Sequence, residues 1–312
     1  MQNARGFFYE LIIMKKISKI KVGIQGGLAS FHEIASLFHI GNDSENVPYE
    51  TFEQLVEDVE RGTLHAGLMA IENTVAGSLM PNYSLLKGRN VQIIGEVLLH
   101  IEQNLMALPG QTIEDITEVY SHPMAIQQSA KFFKQYPHIK LIEADDTANS
   151  AMRIAQNRIK HTGAIASKRA ADIFELEILA PSIETNKRNF TRFLILTNNE
   201  DIKKRHFSRN DLNKASISFS LPHEQGSLSS ILSIFAFYHL NLTKIQSIPV
   251  IGKEWEYHFI VDLTFHDQKI FNQSLDAIKP LISELQIYGI YQKAEKYYHS
   301  NDLVTERLAE VN

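Results

Sequence analysis

The alternation of short apolar runs with helical patterns between residues 20 and 196 most constrains how this chain folds. Runs such as 20–24 and 66–71 have the length of buried strands, and the segments between them carry apolar residues at the spacing of one helix face. Strands that alternate with helices in this way are typical of an α/β protein with a parallel or mixed sheet. A chain of 312 residues has room for about two domains.

The second part of the chain has a different pattern. Apolar stretches predict strands at 215–221, 242–250, 257–264 and 287–292, and helical patterns predict helices at 226–238 and 270–285. Their order is βαββαβ, which is the ferredoxin-like unit. The region has few paired acid and base residues, so we expect it to be non-catalytic.

These changes of pattern predict the domain boundaries. Met14 followed by two lysines is a more natural start than Met1, so we expect the preceding residues to be a disordered extension or a start-site artefact. The polar stretch before the second pattern is interpreted as a linker, and the polar C-terminus as a fraying tail. The expected segments are an extension of 1–18, a first domain of 19–198, a linker of 199–214, a second domain of 215–294 and a tail of 295–312.

Composition excludes several classes of function. A net charge of −5 gives no basic surface for nucleic acid, and no apolar run approaches the roughly 20 residues of a membrane span, so neither partner is expected. The chain has no cysteine, which excludes disulfides and thiolate sites and fits a reducing cytoplasm. The histidines lack the spacing of metal ligands, so we expect no metal site.

Polar residues follow several predicted strands at the point where each strand ends. Glu72-Asn73-Thr74, Ser121-His122-Pro123 and Asp145-Asp146-Thr147 each leave a strand, and Ser30 follows the glycine turn after the first one. Ligands of open α/β sheets bind beyond the carboxyl ends of the strands, so these loops are expected to surround one crevice. For each loop on its own, helix capping explains the residues better than a functional site does. A nicotinamide site is disfavoured, because the Gly-x-Gly-x-x-Gly spacing is absent.

The stretch Asn189-Phe190-Thr191-Arg192-Phe193 carries the most specific chemistry. Thr191 and Arg192 place a hydroxyl donor and a guanidinium side by side between two aromatic residues. Such a pair suits a small anionic substrate that is held by its carboxylates and loses a hydroxyl group. On its own the tripeptide is more typical of an edge strand with a surface arginine, but together with the polar loops upstream it favours an elimination reaction.

Taken in order, these motifs resemble the prephenate dehydratase family, and the second region is similar to the ACT regulatory domain that this family carries. The resemblance covers about residues 20–293. The first region's matching motifs are Gly26 to Ala35, Ile71 to Thr74 with Gly77-Ser78, Ser121-His122-Pro123 with Gln128, Asp146-Thr147, Ala164 to Ser167, and Asn186 to Phe193. The second region's are Gly226-Ser227-Leu228, Asn241 to Ile245 and Trp255-Glu256-Tyr257.

The resemblance implies a catalytic domain of two α/β lobes around a cleft, like a type II periplasmic binding protein. It implies conversion of prephenate to phenylpyruvate, without metal or organic cofactor, in phenylalanine biosynthesis. The catalytic positions that it implies are Thr191, Asn73, Gln128 and Asp145. The substrate-binding positions that it implies are Arg192, Ser30, Thr74, Ser121 and Phe193. His32 departs from the family pattern, which usually has a small hydroxyl residue there.

The resemblance also implies feedback by phenylalanine at an interface between ACT domains of a homodimer or homotetramer. The positions implied for that effector are Gly226, Ser227, Leu228, Asn241, Gln246, Ser247 and Pro249. Gln246 and Ile248 replace a carboxylate and a guanidinium of the family pattern, so weaker or altered inhibition is expected. Two alternatives stay open: dehydration of arogenate, and a non-catalytic amino-acid sensor.

Overall fold

A computed structural model describes residues 19–41, 44–207, 209–250 and 256–299. The expected N-terminal extension, Trp255 and residues 300–312 of the expected tail lie outside these ranges. The chain divides into two compact units. The first contains residues 1–85, 97–194 and 296–312, and the second contains 86–96 and 195–295.

The strands and helices largely follow the predicted order. In chain order the strands are β1 (Ile20–Gln25), β2 (Ser44–Tyr49), β3 (Ala66–Asn73), β4 (Gly77–Ser78), β5 (Gln92–His100), β6 (Asn104–Ala107), β7 (Glu118–Ser121), β8 (Lys140–Glu143), β9 (Thr162–Ala166), β10 (Glu177–Ala180), β11 (Phe190–Thr197), β12 (Lys214–Leu221), β13 (Asn241–Pro249), β14 (Tyr257–Thr264), β15 (Ser283–Tyr291) and β16 (Tyr297–His299). The helices are α1 (Phe31–His39), α2 (Phe52–Glu60), α3 (Met80–Ser84), α4 (Pro123–Phe133), α5 (Thr147–Asn157), α6 (Lys168–Phe174), α7 (Glu200–Phe207), α8 (Ser227–Phe237) and α9 (Gln268–Ile278).

The first lobe is built on a mixed sheet with the strand order β16-β5-β11-β3-β1-β2. Strand β1 pairs in parallel with both β2 and β3. Helix α2 packs closely on these strands at two glycines. A Cβ added to Gly67 would lie 2.6 Å from Leu55 Cδ2, and one added to Gly23 would lie 3.0 Å from Leu55 Cγ. Leu55 is fully buried, so the missing side chains at the glycines are what let it reach the sheet.

The second lobe has its own sheet, in the order β10-β6-β9-β7-β8. Strand β7 runs parallel to β8 and β9, whereas β6 is antiparallel to β9 and β10. The chain passes between the two sheets twice, through residues 101–103 after β5 and through residues 181–189 before β11. We call the second passage the return crossover. The two α/β lobes that were predicted are confirmed, in a periplasmic-binding-protein-like fold.

The second unit confirms the predicted βαββαβ order, from β12 through α8, β13, β14 and α9 to β15. Its sheet is antiparallel throughout, in the order β13-β14-β12-β15. All of β12 is buried. Its odd-numbered residues, such as Ile217 and Phe219, join the apolar core. On the even-numbered face, Lys214 Nζ lies 2.8 Å from Glu96 Oε2, so the buried ammonium is neutralised by an equally buried carboxylate.

Two expectations about polar segments are wrong. The expected linker contains helix α7, because Asn199 Oδ1 accepts hydrogen bonds from the N–H groups of Asp201 and Ile202, and Ile202 is completely buried. The expected tail is not all fraying, because β16 pairs in parallel with β5. Within the described ranges, no helix has the length and hydropathy of a membrane span.

Candidate active site

Asn73, the last residue of β3, is held in a fixed orientation. Its Oδ1 accepts hydrogen bonds from the N–H groups of Val75 and Ala76, both at 2.9 Å. Its Nδ2 therefore points the other way, and it lies 3.0 Å from Thr191 Oγ1 and 2.8 Å from Asn189 Oδ1. Phe190 O also lies 3.2 Å from Nδ2, so the two hydrogens of this amide serve three acceptors, of which the two side-chain oxygens are the nearer. The structure thus brings together Asn73 and Thr191, two of the predicted catalytic residues.

A chain of amides continues from Asn73 into the second lobe. Asn189 Nδ2 donates to Gln128 Oε1 at 2.9 Å, and Gln103 Nε2 approaches the same oxygen at 3.4 Å. All four amide side chains belong to buried residues, so each hydrogen bond is protected from water. Asn189 is the member of this network to which no role was assigned from the sequence. Its position next to Phe190-Thr191 was the only signal.

A cavity of about 480 Å³ lies beside this amide chain. Such a volume is within the usual range of small-molecule sites. It is lined by both lobes and the return crossover. The lining residues are Val75, Ala76, Met124, Gln127, Gln128, Thr185, Asn186 and Asn189. None of these side chains carries a charge, so the polar groups that the lining offers are amides, a hydroxyl and the backbone.

The predicted substrate-binding hydroxyls make hydrogen bonds within the protein. Thr74 Oγ1 donates to Arg188 O at 2.8 Å and accepts from Phe190 N at 2.9 Å. Ser121 Oγ donates to Ile165 O at 2.7 Å, and Ser30 Oγ caps α1 by accepting from Glu33 N. Thr74 therefore fixes the start of β11. Ser121 fixes the C-terminal end of β7, and Ser30 fixes the N-terminal end of α1.

Neither Thr191 nor Arg192 is among the residues that line the cavity, whereas the predicted catalytic residue Gln128 is. Adjacent residues of a strand point to opposite faces, so Arg192 and Thr191 project apart on β11. The Arg192 guanidinium is nearly buried and lies 3.7 Å from Glu72 Oε2. This ion pair joins β3 to β11 behind the hydroxyl of Thr191.

Phe193 is buried beside His32, whose ring meets it edge-on with the centroids 4.9 Å apart. The ring of Phe52 lies on another side of His32, at 5.4 Å. Burial lowers the pKa of His32 to about 3, so the ring is neutral near pH 7. Among the described residues, its Nε2 has no hydrogen-bond partner. His32 is an apolar neighbour of Phe193 rather than a substitute for a hydroxyl.

The acidic position near the glycine turn is Asp146 rather than the predicted Asp145. Asp145 is exposed. Asp146 Oδ1 caps α5 by accepting from Asn149 N, and its Oδ2 would lie 2.7 Å from a Cβ added to Gly26. Burial raises the pKa of Asp146, although the N–H groups at the start of α5 oppose that shift. The carboxyl that faces the first lobe is therefore this helix cap.

The lobes are also joined at the start of α1. Arg169 Nε and Nη2 bind Glu33 Oε2 and Oε1 at 2.8 Å and 2.9 Å. Ser167 Oγ donates to Ala29 O at 2.8 Å. Because the Arg169–Glu33 contact is bidentate and largely buried, it fixes the relative orientation of α1 and α6.

Comparisons with known proteins agree on one family. A family model described as prephenate dehydratase matches residues 22–201. The bifunctional chorismate mutase/prephenate dehydratase of Aquifex aeolicus (strain VF5) is 33% identical over 298 residues, which cover 94% of this chain and 80% of that protein. The chloroplastic arogenate dehydratase/prephenate dehydratase 2 of Arabidopsis thaliana is 34% identical, over 88% of this chain and 73% of that protein.

A solved structure shares the fold. The prephenate dehydratase of Arthrobacter aurescens, crystallised in complex with L-Phe, matches 94% of this chain and 99% of its own with a TM-score of 0.77 and 23% identity. That similarity concerns the architecture alone, while the family model and the relatives define the ancestry. The chain belongs to the prephenate dehydratase family.

Proposed function

We propose that this protein is a prephenate dehydratase, which converts prephenate to phenylpyruvate with loss of carbon dioxide and water. The observation that carries the proposal is the hydroxyl of Thr191. Its oxygen accepts from Asn73 Nδ2, and among the described residues no acceptor takes its own proton. A hydroxyl that already accepts a hydrogen bond is a better donor through its remaining proton. Thr191 is thus prepared to donate to a leaving oxygen.

The proposed reaction breaks two bonds to the substrate ring. The bond between the ring and its carboxylate breaks, and its electrons complete the aromatic ring as the carbon–oxygen bond to the ring hydroxyl breaks. The departing oxygen takes the proton of Thr191 and leaves as water, and a solvent proton restores the threonine. Proton-transfer assistance of this kind typically contributes about 10²–10⁴-fold.

The uncharged lining of the cavity supports the decarboxylation half of the reaction. Amides such as Gln127, Gln128 and Asn186 bind a carboxylate without the strong stabilisation that a buried cation gives. A poorly stabilised carboxylate loses carbon dioxide more readily as its charge moves into the ring. The same lining has no carboxylate to hold an ammonium group. This favours prephenate over arogenate, which carries an ammonium where prephenate has a keto group.

The proposal is tested by incubating the purified protein separately with prephenate and with arogenate and following the aromatic product. We expect phenylpyruvate from prephenate at a higher kcat/KM than phenylalanine from arogenate. A higher kcat/KM with arogenate would show that the protein is an arogenate dehydratase instead. A lack of product from either would support the non-catalytic sensor.

We further propose that the second unit is an ACT domain through which phenylalanine acts. Its βαββαβ order supports this, as does Gly226, which has a φ of 86° at the start of α8. Strand β13 lies at the edge of the sheet and carries Gln246, Ser247 and Pro249. Its Ile245 is 40% exposed, and an edge strand with exposed apolar residues is suited to pair with a second copy in a homo-oligomer.

A further inference from the structure

The short C-terminal strand β16 lies in the same sheet as the proposed catalytic threonine. Tyr297, Tyr298 and His299 pair with Leu98, Leu99 and His100 of β5, and β5 is the neighbour of β11. Nothing in the cavity lining comes from β16. Its contacts nevertheless converge on the residues immediately before Thr191.

Phe190 is the first point of convergence. The ring of Tyr297 lies on that of Phe190 with the centroids 4.5 Å apart, and the ring of His100 is 4.9 Å away. The backbone of Phe190 is bonded to the loop after β3, since its N–H donates to Thr74 Oγ1 and its carbonyl accepts from Thr74 N. Phe190 is therefore the residue through which aromatic contacts on the C-terminal strand reach the Asn73–Thr191 pair.

The return crossover is the second point of convergence. His100 Nε2 lies 2.7 Å from Lys187 O, and because a carbonyl only accepts, this nitrogen carries the proton. His299 Nδ1 lies 3.2 Å from His100 Nδ1, within hydrogen-bond distance of the other nitrogen of this ring. His299 thus fixes the orientation of the ring that both holds Lys187 and touches Phe190.

We propose that β16 is a positioning element of the active site, in which Tyr297 holds Phe190 and thereby sets the position of Thr191. Tyr297 does not touch substrate. Its ring contributes the contact, and its hydroxyl is not required. Displacement of a reacting group by about 1 Å can cost about 10²-fold in rate, so a modest shift of Phe190 has a measurable effect. The inference rests on the proposed function only for its kinetic readout.

Tyr298, the next residue of β16, provides a control for the replacement of Tyr297. Tyr298 follows Tyr297 and, on the opposite face, stacks on Phe38 of α1 at 4.5 Å. The two residues have the same side chain and lie in the same strand, but the ring of Tyr297 contacts Phe190 whereas that of Tyr298 contacts Phe38. Tyr297 is 55% exposed, so its replacement does not open a cavity in the core.

The experiment compares Tyr297→Leu, Tyr297→Phe and Tyr298→Leu in the full-length protein. We expect Tyr297→Leu to lower kcat about tenfold with little change in KM, and Tyr297→Phe to restore it. Tyr298→Leu should lower the melting temperature but leave the kcat of the folded protein unchanged. An unaltered kcat in Tyr297→Leu, or an equal loss in Tyr298→Leu, would overturn the proposal.

Hydrogen–deuterium exchange gives a readout that does not depend on activity. Backbone amides of residues 187–191 should exchange faster in Tyr297→Leu than in the wild type, and at the wild-type rate in Tyr298→Leu. If the wild type forms no product, the proposed function fails, but these exchange rates still test the position of Phe190. Equal protection in all three proteins would then contradict the positioning role.

Discussion

Asn73 Nδ2 and Thr191 Oγ1 lie 3.0 Å apart, although 118 positions separate the two residues in the chain. The bond joins the end of β3 to the start of β11. It also decides the direction of the threonine's proton, because an oxygen that accepts from Asn73 donates elsewhere. The chemistry of the site therefore depends on the donor as well as on the hydroxyl.

Replacement of Thr191 tests the hydroxyl. Thr191→Val keeps the shape of the side chain and removes its donor, so we expect kcat to fall about 10²–10⁴-fold. Thr191→Ser keeps the donor and should retain much of the activity. Steady-state kinetics on prephenate would measure both. Equal losses would mean that the shape of the side chain, and not its proton, is what matters.

Replacement of Asn73 tests whether the hydroxyl proton of Thr191 must point away from residue 73. Asn73→Asp is nearly isosteric, but its carboxylate accepts the proton of Thr191 instead of donating to its oxygen. We expect kcat to fall by at least about 10²-fold. Asn82→Asp is the matched control, because Asn82 is also buried but donates to Ala70 O. That variant should lose stability and keep its kcat per folded molecule. An active Asn73→Asp enzyme would contradict the proposed hydrogen-bond order.

The sequence and the structure lead to different expectations for the replacement of Arg192. The sequence analysis predicts that Arg192 clamps a carboxylate, in which case Arg192→Lys raises KM. The ion pair with Glu72 predicts a loss of stability of about 1 kcal/mol and a KM that changes little. Kinetics and chemical denaturation of the same variant distinguish the two. A large rise in KM with unchanged stability would support the prediction that Arg192 binds a substrate carboxylate.

Acid should destabilise the protein partly through His32. The unfolded chain binds a proton at this residue below pH 6.5, whereas the folded protein does so only near pH 3. The free energy of unfolding therefore falls as the pH decreases through this window, by about 2 kcal/mol at pH 5.

His32→Phe removes this titration and keeps an aromatic ring beside Phe193. The variant should lose about 2 kcal/mol less than the wild type between pH 7 and pH 5 in urea denaturation. An unchanged pH dependence in His32→Phe would show that the ring is not kept neutral in the folded state.

Phenylalanine should inhibit the enzyme less than the family pattern implies, since Gln246 and Ile248 replace charged residues. We expect a coupling of about 1–3 kcal/mol between effector and substrate. Activity and sedimentation, measured with and without millimolar phenylalanine, test this. No change in either would leave oligomerisation as the role of the second unit.

Local signals in the sequence predicted much of the fold. Ser30, Thr51 and Asp146 cap the helices that follow them, as hydroxyl and carboxylate residues before an apolar pattern indicate. Strand β2 was missed because its sequence, SENVPY, lacks an apolar alternation and is ordered by pairing with β1. The family resemblance implied Asp145 as the acidic site residue, but it could not show that the capping carboxylate of Asp146 is the one that lies against Gly26.

Site residues that belong to a recognisable local motif were predicted from the sequence. Those whose role depends on partners far away in the chain were missed. Asn73, Gln128 and Thr191 were expected and do lie in one network. Asn189 completes that network, but its partners are 116 and 61 positions away, so no local pattern indicates it. The contacts of β16 with Phe190 are equally invisible in the sequence, because a three-residue strand shows no periodicity.

The partnership of β5 with β16 has a consequence for synthesis on the ribosome. His100 and His299 are 199 residues apart, so β5 emerges long before the strand that borders it. At roughly 5–20 residues per second, the interval is about 10–40 s. During that time one edge of the sheet has no neighbour and is exposed to other chains. The nascent protein therefore passes through a period in which it is prone to aggregate, and its final residues end that period.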